Sequence, residues 1–213
     1  MLAYIIAAAV GYLLGSIPFG YLLVRIFRNE DVRTSGSGNI GATNVARKSP
    51  ALGIATLLLD AAKGLAAVAI ARTWLDVPHP DLLVTVAAFF AVLGHLFSVW
   101  LKFHGGKGVA TSLGAFILLT PKSILCMVVL FLLVALVFRY VSLASITVAA
   151  AFPLLAWAFH ECADSRQLVL IALVSLLVIW KHRQNIARIT GGTESKMGTK
   201  TRAQSETLGA SRQ

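Results

Sequence analysis

Charged residues are scarce in this sequence, and acidic residues are scarcer than basic ones. Only 13% of the 213 residues are charged, with nine acidic and nineteen basic side chains, whereas 57% are hydrophobic. The mean hydropathy is +0.79. A soluble domain of this size would not carry so much apolar surface, which indicates an integral membrane protein. The apolar runs are continuous and lack the alternation of barrel strands, so we predict an all-α fold.

Cysteine is also rare, which argues against a disulfide-stabilised protein and against a metal site with cysteine ligands. Cys126 and Cys162 have no metal-ligand spacing and predict no disulfide framework. No other residues suggest a metal cluster, so neither a metal nor a cofactor is expected.

The net charge of +10 would suit a nucleic-acid partner. The basic residues, however, cluster at the ends of apolar runs, as topology and lipid headgroups require, so we expect membrane lipid and no nucleic acid.

Seven apolar segments are predicted to be transmembrane helices. The first has no basic residue before it and no convincing cleavage site, so we expect a retained helix and not a signal peptide. Gly11, Gly15 and Ser16 give it a small-residue face for close packing, and Pro18 is expected to kink it. Residues 1–189 are expected to form one membrane domain, and 190–213 a disordered cytoplasmic tail. The predicted segments are 2–24, 51–73, 82–101, 109–119, 123–138, 143–159 and 168–180.

The fourth segment decides the topology. A helix of 11 or 12 residues reaches only about 17 Å, well short of a bilayer core of about 30 Å, so this segment is either re-entrant or a short span seated in protein. If it crosses, most basic segments share one face, and only Lys122 and Arg166 remain in the loops of the other. The positive-inside rule favours crossing, which predicts an N-terminus outside and a cytoplasmic C-terminus.

A glycine-rich loop lies between the third and fourth segments. It contains Gly105, Gly106, Lys107 and Gly108, and residues 109–111 then begin a helix whose first amides lack partners. Glycine lets backbone N–H groups approach a ligand without a Cβ, and a helix N-terminus favours an anion, so this loop predicts a phosphate site. It is not a Walker A loop, because Gly108 follows the lysine. The alternative is a membrane-edge turn with a positive-inside lysine. In either case we expect Lys107 to be exposed in a flexible loop.

A second polar motif occupies residues 35–44 and is followed by Arg47. Its glycines match the dinucleotide pattern Gly-x-Gly-x-x-Gly, but no strand precedes them, and Asp60 downstream lies inside an apolar span. The remaining hydroxyls, amides and guanidinium suit a small polyol or a phosphate. A flexible cytoplasmic loop is the alternative.

A third motif follows the last span. His182 and Asn185 are three residues apart and share one helix face, although such a segment also suits a positive helix terminus. Ser145 enters from the same membrane face.

Three ionisable residues lie within the spans. Asp60 and Lys63 form an i, i+3 pair that is a functional candidate by default, but mutual neutralisation explains it as well, and we favour that structural interpretation. His95 is interpreted as a hydrogen-bonded packing residue.

The three motifs together resemble one family. The segments 35–44 (SGSGNIGATN), 105–111 (GGKGVAT) and 182–186 (HRQNI) are similar, in spacing and order, to those of the bacterial membrane acyl-phosphate:glycerol-3-phosphate acyltransferases. Residues 142–145 (SLAS) also resemble that family, and the likeness covers about residues 4–190. It implies a seven-helix enzyme of the bacterial plasma (inner) membrane, a monomer with its active site on the cytoplasmic face and no cofactor. It also implies transfer of a fatty acyl group from acyl phosphate to the 1-hydroxyl of glycerol 3-phosphate, giving lysophosphatidic acid and phosphate.

Roles for individual residues follow from the resemblance alone. It implies that the glycerol phosphate is held by Ser37, Asn39, Arg47 and Lys107. The acyl-phosphate end would be lined by Gly105, Gly106, Gly108, Thr111, Ser145, His182 and Asn185. Of these, the catalytic group would be Lys107, Ser145, His182 and Asn185. The division between the two phosphates stays open.

The attacking hydroxyl must also lose a proton. Glu194 and Glu206 are assigned to the tail and are therefore not expected at the site. His182 is the strongest candidate base in the protein, and His104 is the second candidate. The substrate phosphate, with a second pKa of about 6, is the other candidate. We expect that phosphate to accept the proton while His182 orients the substrate and stabilises charge, which resembles the mechanism proposed for the family.

Two other functions fit this sequence less well. A transporter needs polar residues through the midplane of the membrane, whereas here they gather at one face. A CoA-dependent acyltransferase would show a His-x4-Asp motif, and an alcohol phosphotransferase a metal-binding cluster of aspartates. Neither pattern occurs in this sequence.

Overall fold

The structure is a computed structural model that describes residues 1–73 and 77–198, and within these residues the regular elements are all helical. Two short 3-10 turns, Val32–Thr34 and Val99–Leu101, accompany the α-helices. The α-helices are α1 (Leu2–Ser16), α2 (Phe19–Arg28), α3 (Ala42–Lys48), α4 (Pro50–Arg72), α5 (Pro80–Leu96), α6 (Val109–Phe116), α7 (Pro121–Phe138), α8 (Val141–Ala158), α9 (Ser165–Lys181) and α10 (Arg183–Thr190).

The first predicted span is broken at Pro18, between α1 and α2, because proline has no N–H to continue the helical ladder. The expected kink is therefore confirmed. The small-residue face is also confirmed, since Gly11 and Gly15 bring α1 against α5. A Cβ on these glycines would lie 2.5 Å from the carbonyl oxygen of Ala87 and 1.9 Å from that of Ala91. Any larger residue would force the two helices apart.

By length and hydropathy, the described residues contain five helical stretches able to cross a membrane, and a sixth if a bent pair counts as one span. The bent pair is α9 and α10, which meet at 53°. This finding supports an integral membrane protein but does not confirm the predicted count of seven. The five stretches are Leu2–Arg28, Pro50–Arg72, Pro80–Leu101, Pro121–Phe138 and Val141–Ala158.

The helix α6, predicted over 109–119, has only eight residues, and it is buried among other helices. Eight residues rise about 12 Å, so α6 cannot cross a bilayer in contact with lipid. It is pressed closely against α4 through two glycines. A Cβ on Gly114 would lie 1.8 Å from the carbonyl oxygen of Ala61, and a Cβ on Gly64 would lie 2.3 Å from that of Thr111.

The chain loops lie at two opposite ends of the helical bundle. At one end, the motif 35–44, the loop around Lys107, the start of α8 and the residues after α9 surround one cavity. At the other end, the Glu161 carboxylate accepts the backbone N–H groups of Lys122 and Ser123 at the start of α7. The α6 segment and the turn after it therefore carry the chain from the first end to the second.

Candidate active site

The three sequence motifs, distant in the chain, meet at one cavity of about 1350 Å³. Its polar end is formed by loops and helix ends, and its other wall is apolar. Five basic and two acidic side chains line it, so its electrostatic character favours anions. These charged residues are Arg47, Lys48, Lys107, Arg188 and Lys196, with Asp60 and Glu194.

Most of the predicted site residues line this cavity, but three do not. The three that lie outside its wall are Gly105, Gly106 and Thr111. The predicted residues that line it are Ser37, Asn39, Arg47, Lys107, Gly108, Ser145, His182 and Asn185.

The loop 35–44 is held in shape by the buried side chain of Asn44. The Asn44 Nδ2 atom lies 2.9 to 3.1 Å from the carbonyl oxygens of Val32, Ser35 and Asn39, and its Oδ1 accepts the backbone N–H of Ser37 at 2.9 Å. A small core of apolar residues packs beneath the loop. The loop is therefore pre-organised, and the alternative of a flexible loop is not what the structure shows.

Gly36 is required by this arrangement. Its φ of +59° lies in the left-handed region that favours glycine. A Cβ there would lie 2.2 Å from the Oδ1 of Asn44 and 3.4 Å from the Nη1 of Arg47. The glycine lets Asn44 and Arg47 lie directly under the loop that carries Ser37.

In the glycine-rich loop, the first two glycines, Gly105 and Gly106, face the protein and not the cavity. The N–H of Gly106 donates to the carbonyl of His95 at 2.9 Å, and that of Gly105 donates to the carbonyl of Leu96 at 3.3 Å. These two amides already have backbone acceptors. Thr111 is fully buried in α6, and its hydroxyl has no hydrogen-bond partner among the described residues.

Lys107 is partly buried, which corrects the expectation of an exposed lysine. Its Nζ donates to the Oδ1 of Asn185 at 2.5 Å. Burial, followed by the positive charges of Arg188 and Arg47, lowers the pKa of Lys107 to about 8, although Glu194 opposes the shift. The lysine is thus an ammonium held inside the cavity, and its partner is Asn185 of the third motif.

His182 lies at the bend between α9 and α10 and is buried. Its Nδ1 lies 2.8 Å from the carbonyl oxygen of Val178. A carbonyl only accepts, so Nδ1 carries the proton, and Nε2 of the neutral ring has a free lone pair. Ser145 is also buried, and its hydroxyl donates to the carbonyl of Val141 at 2.8 Å.

Sequence reasoning missed Glu194, which it assigned to the tail. The chain folds back after α10, and the Glu194 carboxylate accepts hydrogen bonds from Ser142 Oγ (2.6 Å), Asn185 Nδ2 (2.7 Å) and Arg188 Nε (2.7 Å). Burial opposes the charged form, but these three bonds lower the pKa of Glu194 below its usual value. Nothing in local periodicity predicts this return of the chain.

The segment after Glu194 also lines the cavity. Arg139 and Met197 are joined twice, by the Met197 N–H to the Arg139 carbonyl at 2.7 Å and by the Arg139 Nη2 to the Met197 carbonyl at 2.8 Å. The predicted tail begins at 190, and within it Met197 contacts Arg139 at the end of α7 and Glu194 contacts Ser142 in α8. Residues 199–213 lie outside the described residues, and their disorder stays a prediction.

Asp60 and His95 line the cavity as well, although the sequence analysis gave them only structural roles. The Oδ1 of Asp60 lies 2.8 Å from the Nζ of Lys63 and 3.6 Å from the Nδ1 of His95. A charged residue at the centre of a membrane helix costs about 2.5 to 3.5 kcal/mol on insertion scales, and pairing reduces that cost.

The apolar wall of the cavity belongs to α6, α7 and α8. Such a wall beside a cationic polar end suits a molecule with an acyl chain and an anionic head. Within residues 1–73 and 77–198, no group of three His, Cys, Asp or Glu side chains is arranged to hold a metal ion. The wall residues are Leu113, Met127, Val128, Phe131, Leu132 and Val148.

Comparisons of this sequence with a family model and with known proteins all point to one family. A family model described as glycerol-3-phosphate acyltransferase matches residues 5–192. Relatives of that name from Rhodopseudomonas palustris and Mesorhizobium japonicum are 48% and 49% identical, each over 92% of this chain and 97% of the relative. A relative from Agrobacterium fabrum is 45% identical over 92% of each chain.

Two crystal structures of PlsY (YgiH), an integral membrane glycerol 3-phosphate acyltransferase, share this fold. The glycerol 3-phosphate form aligns with a TM-score of 0.84 at 35% identity, and the lysophosphatidic acid form with 0.81 at 34%. Each alignment covers 92% of this chain and 96% of the PlsY chain.

Proposed function

The chain belongs to the glycerol-3-phosphate acyltransferase family, and from this premise we propose which donor it uses and which residues carry out its reaction. It is an acyltransferase of phospholipid biosynthesis that acylates glycerol 3-phosphate to lysophosphatidic acid. We assign the reaction to the cavity in which the three motifs adjoin an apolar wall, and this arrangement is the main support for the proposal.

The proposed acyl donor is acyl phosphate. The polar end of the cavity offers Lys107, Arg47 and Arg188 to anions, and the apolar wall begins beside it at Val109 and Leu113. An acyl phosphate carries its phosphate directly on the acyl carbon. Its phosphate can therefore lie against the basic residues while its acyl chain lies along the adjoining apolar wall. Acyl-CoA would need an additional site for its long pantetheine and nucleotide parts.

Ser37, Asn39 and Arg47, together with Lys107, are proposed to bind the phosphate of glycerol 3-phosphate. Support comes from the loop that Asn44 fixes, since a pre-organised loop loses little entropy on binding. The acyl-phosphate end is assigned to Gly108, Ser145, His182 and Asn185, which line the remaining polar wall. Gly105, Gly106 and Thr111 are assigned the shaping of the loop and of α6, because they lie outside that wall.

In the proposed reaction, the 1-hydroxyl oxygen of glycerol 3-phosphate attacks the carbonyl carbon of acyl phosphate. An ester bond forms, the bond from that carbon to the phosphate oxygen breaks, and inorganic phosphate leaves. The hydroxyl proton passes to the phosphate of glycerol 3-phosphate itself, while the Nε2 lone pair of His182 orients the attacking hydroxyl by accepting its hydrogen bond. An acyl phosphate is already activated, so positioning and the Lys107 charge supply much of the catalysis.

The proposed topology has seven membrane segments, with the N-terminus outside and the active site on the cytoplasmic face of the bacterial plasma (inner) membrane. Support comes from α6, which connects opposite ends of the bundle, and from the basic residues around the cavity. The protein is proposed to act as a monomer, because residues of one chain supply both the polar end and the apolar wall.

A donor-swap assay tests this function. Purified protein in detergent is incubated with glycerol 3-phosphate and, in separate reactions, palmitoyl phosphate, palmitoyl-CoA or palmitoyl-acyl carrier protein. Lysophosphatidic acid and phosphate should appear in equal amounts with palmitoyl phosphate, and phosphate release should require glycerol 3-phosphate. Equal rates with palmitoyl-CoA would refute the proposed donor.

A further inference from the structure

The loop that carries Lys107 rests on His95. Its backbone is attached there by the hydrogen bond from the Gly106 N–H to the His95 carbonyl at 2.9 Å. The imidazole itself lies against the same glycine, because a Cβ on Gly106 would be only 2.2 Å from the Nε2 of His95. The position of residue 106, and therefore the start of the Lys107 side chain, depends on where this ring lies.

The ring of His95 lies beside Asp60. The His95 Nδ1 lies 3.6 Å from the Oδ1 of Asp60, a charge contact longer than a hydrogen bond. The Nδ1 of His95 has no hydrogen-bond partner among the described residues, and both residues are at most 4% exposed. The Nζ of Lys63 lies 2.8 Å from the same Oδ1 of Asp60 and donates to the Ile17 carbonyl at 2.6 Å.

These contacts form one buried chain from the break in the first span to the lysine of the cavity. Neutralisation accounts for Asp60 and Lys63 as a pair, and it was the interpretation favoured from the sequence. It does not account for His95, whose ring borders the cavity and lies against Gly106, the residue before Lys107. A packing role would be served equally by an apolar ring or branch.

We propose that His95, oriented by Asp60, is a positioning residue that sets the place of the Lys107 ammonium relative to bound phosphate. It acts through Gly106 and does not itself contact the reacting atoms. This inference rests on the proposed role of Lys107 in binding glycerol 3-phosphate. It gives the intramembrane charged cluster a function in substrate binding.

A double-mutant cycle on binding tests the inference. The dissociation constant for glycerol 3-phosphate is measured by titration calorimetry for the wild type, His95→Leu, Lys107→Met and the double variant. Leu keeps an apolar side chain at the site and leaves Asp60 paired with Lys63. A displaced loop should weaken binding on the order of tenfold or more in His95→Leu. In the Lys107→Met background, the same change should cost less than about twofold, because the group being positioned is gone.

His95→Asn separates orientation by Asp60 from other uses of the ring. Its amide nitrogen takes the place of Nδ1, so binding should be recovered at least fivefold relative to His95→Leu. Equal weakening by His95→Leu in both backgrounds, wild-type binding by His95→Leu, or no recovery in His95→Asn would each overturn the proposal. Thermal melting checks that each variant is folded. If His95→Leu does not fold, the paired variant Asp60→Asn/Lys63→Met enters the cycle with the same expectation.

Acyl transfer from palmitoyl phosphate is measured on the same samples. A wild type that binds glycerol 3-phosphate but transfers no acyl group would refute the proposed donor, while the binding cycle would still decide the role of His95. The two failures are therefore distinguishable.

Discussion

Lys107 and Asn185, 78 residues apart in the chain, are joined by a hydrogen bond of 2.5 Å from the lysine Nζ to the asparagine Oδ1. The other end of the Asn185 amide donates to Glu194, which also accepts from Ser142 and Arg188. One network thus connects the glycine loop, the third motif, the start of α8 and the returning chain. A phosphate bound by Lys107 would be held by a group whose position four segments fix together.

Lys107→Met should lower kcat by about 10²- to 10³-fold, because a cation aimed at developing negative charge contributes that much in comparable sites. The fold should survive, since the side chain is only partly buried. Lys102→Met, which removes an exposed lysine five residues earlier, is the matched control and should retain wild-type rates. The rates are measured with palmitoyl phosphate and glycerol 3-phosphate. A normal rate for Lys107→Met would show that the loop is only a turn.

The alkaline limb of the pH profile should report Lys107. Burial lowers its pKa to about 8, so the cationic form is present below that pH and is lost as the pH rises through it. The kcat/KM, which follows groups of the free enzyme, should therefore fall above about pH 8. Lys107→Arg keeps the charge at high pH, and its alkaline limb should move upward. An unchanged limb in that variant would assign it to another group.

The proposed topology predicts which positions an impermeant thiol reagent reaches in intact cells. In a Cys126→Ser/Cys162→Ser background, single cysteines are placed at Thr43, Thr193 and His79, which are all exposed in the structure. His79→Cys should label, whereas Thr43→Cys and Thr193→Cys should label only after the cells are permeabilised. Labelling of Thr43→Cys in intact cells would place the active site outside and contradict the positive-inside argument.

The identity of the proton acceptor is tested by changing the acceptor substrate. If the phosphate of glycerol 3-phosphate takes the proton, the acidic limb of the pH profile should follow that group, whose second pKa is about 6. Replacing the substrate by an isosteric phosphonate of different pKa should shift the limb accordingly. His182→Gln should lower the rate but leave the limb in place. A limb that ignores the substrate and disappears in His182→Gln would make the histidine the base.

Much of this molecule follows from local sequence patterns. Each apolar run corresponds to a helix, because continuous hydrophobicity and helix length are local properties. Pro18 breaks a helix, and Gly11 and Gly15 mark close packing, because both effects depend on a single residue type. The three motifs meet because loops at the same end of a bundle are necessarily close.

What the sequence did not reveal is which atoms are already engaged. Gly105 and Gly106 have the composition of a phosphate loop, yet their amides are bound to α5. Lys107 is partly buried, because a segment 87 residues later folds over the cavity and brings Glu194 to it. Such long-range contacts leave no periodic trace in the chain, so neither the low pKa of Lys107 nor the place of Glu194 was predictable.

The shortness of α6 has a consequence for how the protein is made. In the proposed topology, eight helical residues are too few for the insertion machinery to accept as a membrane segment alone. The helix must enter the bilayer with its neighbours, and its exposed ends need protein around them to satisfy their backbone groups. Since Lys107 lies just before α6, we expect the active site to form only after α6 has packed against α4. We therefore expect activity to begin when the helices have packed in the membrane, and not when the motif has been translated.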